Sequence, residues 1–146
     1  MLEEPKLSWI NGQPFSDKYH DIYFSSDAAS EVERVFINPT AFDDLSNTKP
    51  QINILELGFG AGLNFCVTAQ RFLDHNPNNR LHFISFEKHP FSKKDYAKTF
   101  ANLIGTIPFS SKLLDQAPAL LPGWHRRSFL EGRISLSLFY LSLIHI

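Results

Sequence analysis

The stretch Ile52-Asn53-Ile54-Leu55-Glu56-Leu57, then Gly58-Phe59-Gly60-Ala61-Gly62, then Leu63-Asn64-Phe65 decides the fold. An apolar strand runs into a glycine-rich turn, and the turn runs into a helix. Residues 52–57 are apolar on both faces apart from Asn53 and Glu56, as a central parallel strand requires. Glycine at every second position lets backbone N–H groups approach a ligand with no Cβ in the way. The helix start adds the positive end of a dipole, so a carboxylate- or phosphate-bearing ligand is expected there. The alternative is a tight strand–helix connection that binds nothing.

Outward from this turn the pattern continues as α/β. Phe65, Val67, Ala69, Phe72 and Leu73 give bulk to a helix over 63–74, with Asn76-Pro77-Asn78-Asn79 as its stop. Leu81 to Phe86 reads as a second strand ending at Glu87. Ser92 can cap a helix over 93–103, with Asp95 three residues on. Pro108, Pro118 and Pro122-Gly123 interrupt the next region, and the alternation from Ile134 to Tyr140 reads as a third strand. The βαβαβ order implies a parallel sheet. Towards the N-terminus, residues 7–45 read as strand-rich. Leu7-Ser8-Trp9-Ile10 leads into the hairpin signal Asn11-Gly12, and Tyr23-Phe24 and Val35-Phe36-Ile37 are further strand candidates. Ser46 to Pro50 is a polar junction, giving a β-rich extension over 1–50 and an α/β part over 51–140.

With 146 residues, 43% of them hydrophobic and 14 phenylalanines, the chain can bury a real core. The net charge of −1 argues against a polycation, so any nucleic acid must be met through a local patch. Lys93-Lys94 and Arg126-Arg127 are the basic pairs that could touch phosphates. Cys66 is the single cysteine, which excludes an intrachain disulfide framework and fits a reducing compartment. The N-terminus lacks the marks of a signal peptide and no apolar run reaches membrane-spanning length, so a cytoplasmic protein is expected. The six histidines show no ligand-like spacing, and no metal is expected.

The spacing Gly58-x-Gly60-x-Gly62 selects among ligands. A dinucleotide fingerprint wants a glycine where Leu63 stands. The observed spacing suits S-adenosylmethionine, whose carboxylate, amine and ribose lie along such a turn. A carboxylate at the end of the second strand, here Glu87, then offers two acceptor oxygens to the vicinal ribose hydroxyls. Glu56 could meet the methionine ammonium.

The run Glu56-Leu-Gly-Phe-Gly-Ala-Gly-Leu-Asn-Phe65 resembles the cofactor motif of the MnmC-type tRNA methyltransferases. So do Arg80 to Lys88, Leu121 to Arg126, Glu131-Gly132-Arg133 and, near the N-terminus, Asp21-Ile22-Tyr23-Phe24-Ser25. The likeness covers most of residues 8–140. It implies a Rossmann-like methyltransferase fold of about seven strands. It also implies methyl transfer from S-adenosylmethionine to the amine of 5-aminomethyl-2-thiouridine at the tRNA wobble position. Carried over by position, Glu56, Gly58, Gly60, Gly62, Asn64, Glu87 and Lys88 would line the cofactor, with Tyr23 and Glu31 weaker candidates. Many family members carry a further FAD-dependent oxidoreductase domain, so FAD and such a domain, fused or separate, are the implied additional cofactor and partner. A small-molecule methyltransferase of the same fold, or a non-catalytic cofactor-binding fragment, is the alternative.

Two departures stand out. Around Ala28-Ala29-Ser30 the chain is a residue short of the family pattern. After Tyr140, where the family has Gly-Asp, the sequence reads Leu141-Ser142-Leu143-Ile144-His145-Ile146. A common transposase adapter end encodes these six residues in one reading frame, so 141–146 are expected to be a non-native tail. The family's catalytic aspartate is expected beyond Ile146, which leaves Asp21 as the nearest substitute. The chain is therefore expected to hold the first three strands of an incomplete methyltransferase domain, to be inactive alone and to expose the 52–57 strand as an apolar edge.

Overall fold

The computed structural model describes residues 1–24, 27–75 and 78–142. Three short strands come first, β1 (Leu7–Ile10), β2 (Gln13–Ser16) and β3 (Asp21–Ile22), in one antiparallel sheet of order β1-β2-β3. Asn11 and Gly12 form the expected two-residue turn, with φ of 51° and 77°, and Ile10 pairs with Gln13 across it. Positive φ at both central residues matches the strand twist, which is why Asn-Gly closes hairpins.

The β-rich reading of 1–50 holds only as far as Ile22. Tyr23 and Phe24 fall just after β3, and Ser25 and Ser26 lie outside the described residues. From Ala28 the chain is helical: α1 (Ala28–Val32), a π-helical turn over Glu33–Ile37, a 3-10 turn over Asn38–Thr40, and α2 (Phe42–Thr48). The spacing of buried residues explains this. Ala28, Val32 and Ile37 are buried, at steps of four and then five residues. A five-residue step keeps Ile37 on the inner face only if the helix widens by one residue. Val35 and Phe36, the supposed strand residues, face outward. Ser46 to Thr48, read as a breaker, is the last turn of α2, and the side-chain amide of Asn79 donates to the carbonyls of Ser46 and Lys49 beyond it.

The second sheet carries β4 (Gln51–Leu57), β5 (Arg80–Glu87), β6 (Gly123–Phe129) and β7 (Ile134–Tyr140) in the order β4-β5-β7-β6. The three strands read from sequence pair in parallel, with Leu57 opposite Phe86 and Glu87 opposite Tyr140. Their C-terminal ends therefore share one margin of the sheet. β6 was not expected from the sequence; it pairs antiparallel with β7 as a hairpin. β4 is the opposite edge, and Leu55 and Leu57 on it are 68% and 82% exposed.

One face of this sheet is packed by α3 (Leu63–Asp74), α4 (Lys93–Phe100) and α5 (Phe109–Asp115). Alternation puts Leu81, Phe83, Leu136 and Leu138 on that face, all buried. Phe65, fully buried on α3, meets Phe83, Phe109 and Phe129 with ring centroids 5.3, 5.5 and 5.8 Å apart. α3 has the predicted bounds, although its proposed stop at Asn76-Pro77 lies outside the described residues. α4 starts as predicted, with the Ser92 hydroxyl accepting from the Asp95 N–H at 3.1 Å. It ends at Phe100, three residues early. Residues 143–146 of the expected non-native tail also lie outside the described residues.

Candidate cofactor cleft

The margin formed by the ends of β4 and β5 opens into a cleft of about 400 Å³, within the roughly 300–1,000 Å³ of small-molecule sites. One side is the turn: Gly58, Phe59, Gly60, Ala61, Leu63 and Asn64. The other is the end of β2, the β2–β3 connection, β3 and the residue after it: Ser16, Tyr19, Asp21, Ile22 and Tyr23. Glu87 and His89 lie between. An open α/β sheet binds ligands at this margin because the strand ends leave a crevice there.

The glycines do different jobs. All three have positive φ, 88°, 55° and 76° for Gly58, Gly60 and Gly62. A Cβ on Gly62 would fall 2.8 Å from the Phe59 ring and from a Leu113 methyl, so this glycine permits packing at the start of α3. A Cβ on Gly60 would press on the Tyr23 ring at 3.3 Å. A Cβ on Gly58 would meet nothing within 4 Å and would stand in the cleft itself. The expectation that the turn's N–H groups are free for a ligand needs correction. The Gly58 and Phe59 amides both donate to the Phe86 carbonyl at 3.0 Å, and the Gly62 amide donates to the Phe59 carbonyl at 2.8 Å. The Gly60 amide donates to Glu87 Oε2 at 2.6 Å. Glycine serves here by its φ and its missing Cβ more than by free donors.

Glu87 ends β5, and its residue is only 9% exposed. Its Oε1 accepts the His89 N–H at 2.7 Å. Each oxygen thus holds one backbone donor and keeps acceptor capacity for the cleft. Two backbone bonds fix the carboxylate's direction. Tyr23 stands edge-on to Phe91, centroids 4.9 Å apart, and burial together with the Glu87 charge pushes its hydroxyl pKa up to about 12. It is a neutral wall.

Glu56 lies elsewhere. Its Oε2 accepts from the Asn64 amide at 2.7 Å and its Oε1 from the Ser85 hydroxyl at 2.9 Å. Burial raises its pKa above the ordinary value, opposed by those two bonds. It lines a second, apolar hollow of about 710 Å³ along β4, which adjoins the cleft at Gly58 and Asn64. A desolvated carboxylate holding neutral donors favours an arriving cation. Lys88 is not among the residues lining the cleft, nor is Glu31, which is exposed on α1. The sequence reading left out Tyr19 and counted His89 only among the histidines without ligand-like spacing. The proximity of His89 to Glu87 was the available signal for it.

The basic pairs are split between the start of α4 and β6. The Arg127 guanidinium donates to the Gln116 and Arg126 carbonyls, both at 2.7 Å, and Arg126 Nε donates to the Ser137 hydroxyl at 3.3 Å.

No family model matches the chain. It is 41% identical over 138 residues to the tRNA 5-methylaminomethyl-2-thiouridine biosynthesis bifunctional protein MnmC of Leptospira borgpetersenii serovar Hardjo-bovis (strain JB197), covering 91% of this chain and 21% of that protein. It is 39% identical over 148 residues to the protein of the same name from Aeromonas salmonicida (strain A449), covering 94% and 22%. The Saccharophagus degradans protein of that name is 36% identical over 147 residues, covering 94% and 20%. The crystal structure of MnmC2 from Aquifex aeolicus superposes with a TM-score of 0.67 at 20% identity, over 96% of this chain and 43% of that one, which shows a shared fold. Over 91–94% of its length this chain is similar to these MnmC proteins, and it spans about a fifth of the length of the curated relatives it matches.

Proposed function

We propose that the chain forms the S-adenosylmethionine-binding part of a tRNA-modifying methyltransferase acting on the amine of 5-aminomethyl-2-thiouridine at the wobble position. The observation that carries this reading is the Glu87 carboxylate, fixed by the Gly60 and His89 amides at the margin of a parallel sheet, inside a cleft floored by Cβ-free Gly58. A carboxylate so held suits a vicinal diol. The names of the relatives, which specify tRNA 5-methylaminomethyl-2-thiouridine biosynthesis, supply the substrate class.

When bound, the cofactor supplies a methyl group activated on a sulfonium. Glu87 would accept the ribose hydroxyls, and Tyr23, packed against Gly60, would form part of the wall beside the nucleoside. Asn64 and Glu56 face the amino-acid end, where Glu56 balances the ammonium. Gly60 and Gly62 shape the turn, and Lys88, next to Glu87 in the chain, stays outside the cleft lining. The wobble amine must arrive unprotonated and in line with the methyl. Uptake of its proton is assigned to an aspartate in a further part of the methyltransferase. tRNA, and an FAD-dependent oxidoreductase fused or separate, are the proposed partners, in the cytoplasm. Among the described residues no helix is long and apolar enough to cross a membrane.

The experiment is a titration of S-adenosylhomocysteine followed by calorimetry and amide NMR. Weak saturable binding is expected, with shifts confined to 16–23, 58–64 and 87–89 and lost in Glu87→Gln. Absence of binding, or shifts elsewhere, overturns the cofactor reading. Methyl transfer to aminomethyl-uridine tRNA by the polypeptide extended to the full length of its relatives separates tRNA modification from small-molecule methylation, which would proceed without tRNA.

A further inference from the structure

His89 joins the two walls of the cleft. Its backbone N–H donates to Glu87 Oε1 at 2.7 Å, while its ring Nε2 lies 3.0 Å from the Tyr19 hydroxyl on the β2–β3 connection. The two rings meet edge-to-face, centroids 5.8 Å apart. On the far side of the ring, Nδ1 lies 3.5 Å from Glu3 Oε2. The Tyr19 amide in turn donates to the Ser16 hydroxyl at 3.2 Å, so the connection is tied at both ends.

We propose that His89 is a positioning residue of the cofactor cleft, fixing the Glu87 carboxylate through its backbone and pinning the β2–β3 connection over the cleft through its ring. The proposal rests on the S-adenosylmethionine reading above. The neutral ring with hydrogen on Nδ1 satisfies both neighbours: Nδ1–H points towards the Glu3 carboxylate, and the Nε2 lone pair accepts from Tyr19. The charged groups around the ring are Glu3, Lys18, Glu87 and Lys88. Burial, with Lys18 next, lowers its pKa below the ordinary histidine value and keeps this form at neutral pH. Protonation turns Nε2 into a donor, which the Tyr19 hydroxyl oxygen can accept, so the ring contact survives in either form. The Glu87 bond, made by backbone, persists as well.

Substitution separates these roles, because any residue but proline keeps the backbone donor at 89. Tyr19→Phe and His89→Phe are each expected to weaken S-adenosylhomocysteine binding about three- to tenfold, and the double variant no further than either single one, as for two residues acting through one contact. His89→Gln, which keeps an acceptor, is expected to recover part of the loss. Without ligand, amide exchange at 19–23 should quicken at least threefold in Tyr19→Phe, and nitrogen NMR of the wild-type ring should show the Nδ1–H tautomer. Additive losses, unchanged affinity or unchanged exchange overturn the proposal. If the wild-type chain does not bind S-adenosylhomocysteine, the cofactor reading fails and this inference with it. If it binds and the variants bind equally well, only the inference fails.

Discussion

The backbone N–H of Gly60 donates to Glu87 Oε2 over 2.6 Å, fastening the turn after β4 to the last residue of β5. A backbone amide held by a nearly buried carboxylate is a charge-assisted bond. Glu87→Gln keeps the shape but presents an NH2 to one of two donors. It is expected to cost about 1–3 kcal/mol of stability, the penalty for an unmet buried donor. Urea unfolding measures it, and a loss of cofactor affinity at temperatures where the variant stays folded marks the ligand role separately.

Gly62 and Gly58 should respond oppositely to alanine. Gly62→Ala drives a Cβ into Phe59 and Leu113 at positive φ, and overpacking of this kind costs about 1–3 kcal/mol. Gly58→Ala meets no protein atom, so its cost is the φ alone, about 1 kcal/mol. Its methyl occupies the cleft, so binding should fall more than stability does. Equal effects of the two substitutions on both readouts would contradict this assignment.

The pH dependence has two opposed contributions. Burial raises Glu56, so the folded state binds its proton more tightly than the unfolded state does. The stability from Glu56 is fully present below the ordinary carboxylate value of 4.5 and declines as pH rises towards its raised folded value. Arg71, hydrogen-bonded to Asp43 at 2.6 and 3.2 Å, lowers Asp43, whose contribution is present above 3.8 and fades as pH falls through its lowered value. Unfolding free energies from denaturant titration, wild type minus Glu56→Gln, should therefore shrink between pH 4 and 7. Wild type minus Asp43→Asn should grow from acid to neutral pH and reach only about 0.5–1 kcal/mol, as expected for a partly exposed pair.

The exposed β4 edge predicts self-association. Leu55 and Leu57 are mostly exposed beside a row of backbone groups with no further strand among the described residues. Leu55→Lys with Leu57→Lys should reduce concentration-dependent light scattering severalfold, because charge on an edge opposes strand addition. Undiminished scattering places the sticky surface elsewhere.

Cys66 is fully buried, and its thiol pKa is pushed far up by burial alone. Reaction with a disulfide reagent should follow global unfolding, with no fast phase in native conditions.

What the sequence disclosed follows the strength of local patterns. The strands at 52–57 and 134–140 and the helix at 63–74 carry apolar periodicity sharp enough to place within a residue or two. β6 escaped because Gly-Trp-His-Arg-Arg-Ser-Phe is a polar edge strand with alternate residues exposed, held by its hairpin with β7 rather than by apolar alternation. The 28–37 helix escaped because its inward residues step by four and then five, a rhythm that fits neither a strand nor a regular helix. In the site, Glu87 was legible from its position after a strand. Tyr19 was not, because its role depends on a hairpin that folds back against residues seventy positions later.

Tyr23 against Gly60, and Tyr19 against His89, place a ligand in the cleft in touch with two stretches of chain that no covalent link brings together. Such a ligand works as a removable cross-link. By linkage it favours the docked hairpin over every arrangement in which the hairpin has swung away. The N-terminal hairpin is thus the part of this molecule whose order should track cofactor concentration. A polypeptide begun at residue 51 would keep the glycine turn and lose the means of closing over what it holds.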